Sequence, residues 1–164
     1  MQVLASARAF RFGAAVLIGL ALGACARNNA DGALDGAAGA GPGSYQDFAG
    51  NVGDRVFFDT DSTDLSATAQ ATLSKQAAWL NQYGRYNFTV EGHADERGTR
   101  EYNFALGARR AAAAKDFLIA RGVSASRIKT ISYGKERPVA VCNDISCWSQ
   151  NRRAVTVLAG APTS

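Results

Sequence analysis

Residues Val90–Ala111, VEGHADERGTREYNFALGARRA, carry the densest set of structural and chemical signals in this chain of 164 residues. They predict the end of a strand, a charged loop over Gly92–Gly98, and a helix that begins after Thr99. Thr99 is suited to cap that helix, and Glu101 places a carboxylate in the first turn, where the helix dipole favours it. We therefore take this strand-loop-helix unit as the centre of the fold.

Three charged side chains in this unit point to a ligand site. Asp95 and Arg97 lie in the loop, and Arg110 lies near Leu106 on the face of the helix that packs against the protein. An arginine on such a face must find an anion, because an unpaired buried charge is costly. Sequence alone leaves open whether that anion is a neighbouring acid or a ligand.

The sequence on either side predicts further strands and one more long helix. Ser66 can cap a helix from Ala67 to about Tyr83, whose buried stripe is Ala69, Leu73, Ala77 and Leu80. The helix after Thr99 runs from about Arg100 to Arg121 and ends before Gly122, and a short helical turn is expected at 149–152. The predicted strands are Arg55–Phe58, Tyr86–Glu91, Ile128–Tyr133 and Arg153–Leu158.

The order of these elements, β-α-β-α-β-β, predicts an α+β fold. Helix-length connections between the early strands favour a two-layer sandwich, in which two main helices pack on a four-stranded mixed sheet. Residues 54–164 supply 111 residues for this domain. That length is sufficient for one hydrophobic core.

The N-terminus predicts a processing signal over residues 1–24, with Arg8 and Arg11 before a short apolar run. The run ends in Leu22-Gly23-Ala24-Cys25, which resembles the lipobox of bacterial lipoproteins. That resemblance implies cleavage before Cys25 and lipidation of its sulfur; an ordinary secretory signal is the alternative. Ala26 follows the cysteine, where an aspartate would favour the inner membrane, so we expect the outer membrane. Residues 25–53 are then a lipidated N-terminus and a flexible, glycine-rich linker.

Charge and cysteine content narrow the classes of function. The formal net charge is +4, and it falls to +2 without Arg8 and Arg11, with acids and bases interspersed, which does not indicate a nucleic-acid partner. Cys142 and Cys147 enclose a short polar loop and are expected to form a disulfide. The sequence predicts no metal site and no cofactor, since two cysteines and one distant histidine do not complete a zinc set.

Several separated motifs resemble one family in the same order along the chain. VEGHADERGT, EYN, LGARRA, SYGKERP and SQNRRAV are similar to the outer-membrane protein A-like (OmpA-like) family of peptidoglycan-binding domains, over Asp54–Leu158. The resemblance implies an OmpA-like fold that binds peptidoglycan non-covalently through the diaminopimelate of its stem peptides. For lipid-anchored members it also implies engagement of the Tol system, TolB above all, in outer-membrane constriction at division.

The resemblance also assigns roles to residues of this chain. Asp95 accepts from the ammonium of the diaminopimelate zwitterion and Arg110 binds its carboxylate, with Asp61, Arg97 and Leu106 completing the site. Arg110 lies eleven residues after Thr99, roughly 16 Å along a helix. The loop carrying Asp95 must therefore fold back along the helix.

Other interpretations remain open at this point. Asp95 and Arg110 can form a purely structural ion pair, and the chain can bind peptidoglycan without Tol partners. A cell-wall hydrolase requires a nucleophile with its base, a metal set or two opposed carboxylates. The sequence offers none of these clearly, so we expect a binding protein and not an enzyme.

Overall fold

The computed structural model describes residues 41–161. The predicted signal peptide, the predicted lipidation site Cys25, the linker up to residue 40 and residues 162–164 lie outside this range. Within the described part of the chain, no helix has the length and apolar character needed to cross a bilayer.

Four strands form one mixed sheet, as predicted. They are β1 (Arg55–Phe57), β2 (Phe88–His93), β3 (Ile128–Gly134) and β4 (Arg153–Leu158), in the spatial order β1-β4-β2-β3. β4 is antiparallel to both β1 and β2, whereas β2 and β3 are parallel. The loops after β1 and β2 and the segment before β4 consequently lie at the same end of the sheet.

The helix before β2, α2, begins and packs as the sequence predicts. It spans Ala67–Gln82, and the Ser66 hydroxyl accepts from the backbone N–H of Ala69 at 3.2 Å. Its predicted stripe is buried in the core with Val56, Phe88 and Val90 from the sheet. The α+β fold is thus held by one apolar layer between helices and sheet.

The helix after β2, α3 (Arg100–Ala120), approaches the sheet closely through glycine. Thr99 caps it by accepting from Tyr102 N at 3.2 Å. A methyl group on Gly107 would lie 2.5 Å from Ser132 Oγ and 2.8 Å from the Gly92 oxygen. Only glycine at Gly107 and Gly92 permits this contact. The next turn of α3, which carries Arg110, therefore lies under the loops at this end of the sheet.

The folded domain begins earlier than the predicted boundary at residue 54. A short helix, α1 (Tyr45–Asp47), continues as a π-helical turn over Phe48–Gly53. The Phe48 ring packs 4.9 Å from that of Trp79, whose Nε1–H donates to Asp47 at 2.8 Å. The prediction of a flexible linker is therefore wrong for this part of the chain, because the buried Phe48 ring and hydrogen bonds from Trp79 and Gln76 dock it on α2.

The segment before β4 contains a helix rather than a single turn. α4 spans Ile145–Asn151, four residues earlier than the turn expected at 149–152. Cys142 and Cys147 form the predicted disulfide, with their Cα atoms 5.7 Å apart. The bridge ties the first turn of α4 to the polar loop before it.

Candidate functional site

The Asp95 carboxylate lies in the loop after β2 and is surrounded by arginines. It is 8% exposed. It accepts from the backbone N–H of Arg97 at 3.2 Å, and from Nε and Nη2 of the same side chain at 3.2 and 2.8 Å. Nη1 of Arg152 donates at 3.3 Å to Oδ2, the oxygen that also accepts from Arg97 Nη2. The site thus combines one acid with two bases within a few ångströms.

Asp95 is an anion at neutral pH despite its burial. Removal from water by itself raises the pKa of this carboxyl. Hydrogen bonds from Arg97 and Arg152 oppose that effect and hold the pKa below its ordinary value. The carboxylate can therefore accept a hydrogen bond from a cationic group.

Arg110 reaches the same region but does not pair with Asp95. It is 0% exposed, and its guanidinium donates to three backbone carbonyls: Ser62 at 2.9 Å, His93 at 2.9 Å and Asp59 at 3.0 Å. Among the ion pairs of residues 41–161, none joins Asp95 to Arg110. Three carbonyl oxygens accept hydrogen bonds from its guanidinium, so the ion pair with Asp95 that the sequence allows is not formed. That Arg110 binds an anionic ligand stays a prediction.

The hydrogen bonds of Arg110 show that the loops fold back over α3. One acceptor, His93, precedes Asp95 by two residues, and the other two, Asp59 and Ser62, flank Asp61. Burial, followed by repulsion from Arg152, lowers the pKa of Arg110 to about 10, while Asp95 and Asp61 act in the opposite direction. Arg110 remains charged at neutral pH. The loop around Asp95 and the turn around Asp61 therefore both lie near this guanidinium.

Asp61 lies in the turn that covers Arg110. Its φ is +54°, and it is the one non-glycine residue with positive φ in the described range. Such a conformation is mildly strained for a residue with a side chain, and strain of this kind often accompanies ligand sites. The adjacent Thr60 hydroxyl lies 3.4 Å from Arg97 Nη2, so the turn also touches the Asp95 loop.

Leu106 and Asn103 support the site from α3. Leu106 is buried, one turn before Arg110, but lies outside the main cluster of core side chains. The Asn103 amide donates to the carbonyl of Arg97 at 2.7 Å. α3 thus fixes the backbone of the Asp95 loop.

Two residues of the site, Arg152 and Trp148, were not predicted from the sequence. Arg152 is 5% exposed and also donates to the Phe58 carbonyl at 3.0 Å. Trp148 stacks on Arg97, with the guanidinium carbon 4.2 Å from the ring centroid. The motif SQNRRAV contains Arg152, but no local pattern predicts that it reaches a loop 57 residues away.

Other polar residues of this region do not form a metal centre. In the described range, no group of three or more His, Cys, Asp or Glu side chains is placed to hold a metal ion. His93 is buried, and burial followed by repulsion from Arg153 lowers its pKa to about 3. It is a neutral residue of the protein interior.

Comparison with known proteins agrees with this fold. The model of the OmpA family matches residues 57–152. The chain therefore belongs to the OmpA family.

Its relatives within that family are peptidoglycan-associated lipoproteins. The protein of that name from Mesorhizobium japonicum is 69% identical over 87% of this chain and 88% of its own length, and that from Rhizobium meliloti is 66% identical over 90% and 86%. As a member of this family, the chain is not an enzyme.

Solved structures show the same architecture. The crystal structure of the peptidoglycan-associated lipoprotein from Burkholderia pseudomallei superposes with a TM-score of 0.62 at 41% identity, over 64% of this chain and 89% of that one. The C-terminal domain of Helicobacter pylori MotB superposes with a TM-score of 0.61 at 21% identity, over 66% and 85%. The latter likeness concerns the fold alone.

Proposed function

We propose that this protein binds peptidoglycan non-covalently, through the diaminopimelate of its stem peptides. The observation that carries the proposal is the ionised Asp95 carboxylate, which lies just after β2 and accepts hydrogen bonds from Arg97 and Arg152. The free end of diaminopimelate carries an ammonium and a carboxylate on one carbon. A site for it needs an acid beside a base, which is the arrangement around Asp95. The names of the relatives support peptidoglycan as the partner.

In this proposal Asp95 accepts a hydrogen bond from the ammonium of diaminopimelate, and Arg110 donates to its carboxylate. Arg110 has five N–H donors and gives three of them to carbonyls, so its two Nη atoms each retain one. The turn around the strained Asp61 covers this guanidinium, and we infer that it shifts when the ligand enters. Asp61 then supplies a second acceptor at the rim, Arg97 borders the ligand, and Leu106 forms the apolar floor.

We further propose that Cys25 carries a lipid that anchors the chain in the outer membrane, with the domain in the periplasm. The lipobox-like sequence and the lipoprotein relatives support this placement. The Tol proteins, and TolB in particular, are the proposed protein partners, in envelope integrity and in constriction at division. Two large apolar side chains near the start of α3, Tyr102 and Phe104, are exposed and suit such a partner.

Calorimetry with small ligands tests the proposed ligand chemistry. We expect meso-diaminopimelate to bind the mature chain in detergent. Pimelate, which has the same carbon chain without ammonium groups, should not bind, because Asp95 then meets no cation. Equal affinity for both compounds would contradict the proposed role of Asp95. Retention of purified TolB by the immobilised chain tests the Tol partner separately.

A further inference from the structure

The pairing of Arg97 with Asp95 needs more than its own electrostatic attraction. The Arg97 side chain is 41% exposed, whereas that of Asp95 is 10% exposed. A pair with an exposed partner contributes little, because water and side-chain entropy compete with it. Nevertheless Nε and Nη2 of Arg97 both point at the two oxygens of Asp95. Another contact must hold the guanidinium in this orientation.

Trp148 of α4 provides that contact. Its indole ring lies under the Arg97 guanidinium at 4.2 Å, within the range of a cation–π interaction. Its Nε1–H donates to Oε1 of Glu96, the residue between Asp95 and Arg97. One side chain therefore restrains both residues that follow Asp95.

The helix that carries Trp148, α4, is fixed by contacts at both of its ends. The disulfide partner Cys147 precedes it directly, and Asp144 caps α4 by accepting from Ser146 N at 2.7 Å. At the other end of α4, Asn151 accepts from Val139 N at 2.8 Å and donates to the carbonyl of Ala140 at 2.8 Å. The helix and the loop before it consequently form one cross-linked unit.

The backbone of the Asp95 loop has separate supports. Lys135 donates to the carbonyls of Glu96 and Gly98 at 3.1 and 2.7 Å, and Asn103 donates to that of Arg97. These contacts fix the path of the chain. They do not restrain the side chain of Arg97. Besides Asp95, that side chain contacts the Trp148 ring and, at 3.4 Å, the Thr60 hydroxyl, and of these two contacts the stacking on Trp148 is the more extensive.

We propose that Trp148 is a positioning residue for the diaminopimelate site, held in place by the Cys142–Cys147 disulfide. The inference rests on the proposed function of Asp95. Trp148 holds Arg97 and Glu96, Arg97 fixes the carboxylate of Asp95, and the ligand then meets an acceptor that is already ordered. A pre-ordered site loses less entropy on binding, so its affinity is higher.

The first test is spectroscopic and uses the mature chain in detergent without ligand. The Nε–H resonance of Arg97 should be shifted by the ring current of Trp148. In Trp148→Ala it should move to the position of a free arginine and broaden, while the melting temperature stays within a few degrees. Ile145→Ala, an exposed apolar residue on the same helix, is the matched control and should change neither. An Arg97 resonance that is identical in Trp148→Ala and wild type would overturn the inference.

The second test is the affinity for meso-diaminopimelate. We expect Trp148→Ala to weaken binding about five- to tenfold, and Trp148→Phe about twofold because the stacking survives and the N–H donor is lost. The double variant Cys142→Ser/Cys147→Ser should fall between them. Wild-type affinity in Trp148→Ala would overturn the inference while the proposed function stands. Failure of the wild-type chain itself to bind would overturn the proposed function.

Discussion

Oδ2 of Asp95 lies 3.3 Å from Nη1 of Arg152, although the two residues are 57 positions apart in the chain. This contact joins the loop after β2 to the segment before β4. Arg152 also donates to the Phe58 carbonyl just after β1. Three separate segments therefore meet around one carboxylate, and the charge state of that carboxylate depends on all of them.

Loss of either arginine should raise the pKa of Asp95. Arg97 makes the closer and more numerous hydrogen bonds, so Arg97→Gln should raise the pKa more than Arg152→Gln does. NMR titration of the Asp95 carboxyl carbon measures both shifts. A larger effect from Arg152→Gln would contradict the assignment of Arg97 as the main partner.

Arg110 should contribute strongly to the stability of the folded domain, whether or not a ligand is bound. Arg110→Met leaves three carbonyls without their donor in a buried place, and should lower the free energy of unfolding by about 3 kcal/mol or more. The exposed neighbour, as Arg109→Met, should change it by less than about 0.5 kcal/mol. Urea unfolding compares the two. Equal stability of both variants would show that the three hydrogen bonds are not formed in solution.

The close contact between α3 and β2 should not tolerate a methyl group. Gly107→Ala should lower the free energy of unfolding by about 1–3 kcal/mol, because the helix must move away from Ser132 and Gly92. Gly50→Ala is the matched control, since a methyl group there meets nothing within 4 Å. Thermal unfolding distinguishes the two substitutions. A Gly107→Ala protein as stable as wild type would contradict the packing described for α3.

His93 should make the protein less stable in mild acid. Its pKa is about 3 in the folded chain and about 6.5 when unfolded, so between these values the unfolded state binds the extra proton. The contribution of His93 to the free energy of unfolding is therefore complete above pH 6.5 and falls by about 1.4 kcal/mol for each pH unit below it. Urea unfolding at pH 7, 6 and 5.5 measures the slope.

His93→Gln is the control for this slope. Burial raises the pKa of the nearby Glu91, and this group contributes stability that is lost as the pH rises, the opposite of His93. The difference between wild type and His93→Gln isolates the histidine. If the two slopes agree between pH 7 and 5.5, then His93 is not buried in the neutral form.

The elements of the fold were predictable because their signals are local. The period of apolar residues and the cap Ser66 define α2, and Thr99 defines the start of α3, each within a few residues of sequence. The mixed sheet follows from the order of the elements. The docking of the π-helical turn over Phe48–Gly53 was not predictable, since it depends mainly on Phe48 meeting Trp79 across the fold.

The site was predictable in composition but not in pairing. The sequence places Asp95 and Arg97 in one loop and Arg110 on α3, and in the structure Arg110 donates to the His93 carbonyl at the start of that loop. Their role in binding a ligand stays a prediction. The partners of Arg110 were missed because backbone carbonyls of three loops converge on it, and no side-chain pattern encodes where a carbonyl points. Arg152 and Trp148 were missed because their contacts with the Asp95 loop depend on how distant segments pack.

Co-sedimentation with purified sacculi tests the central claim most directly. The mature chain in detergent, its Asp95→Asn variant and the control Asp116→Asn, an exposed residue further along α3, are pelleted with sacculi and with excess meso-diaminopimelate as competitor. We predict that wild type and Asp116→Asn pellet, that free diaminopimelate releases both, and that folded Asp95→Asn stays in solution. Pelleting of Asp95→Asn to the wild-type extent would contradict the claim that this carboxylate binds the ligand.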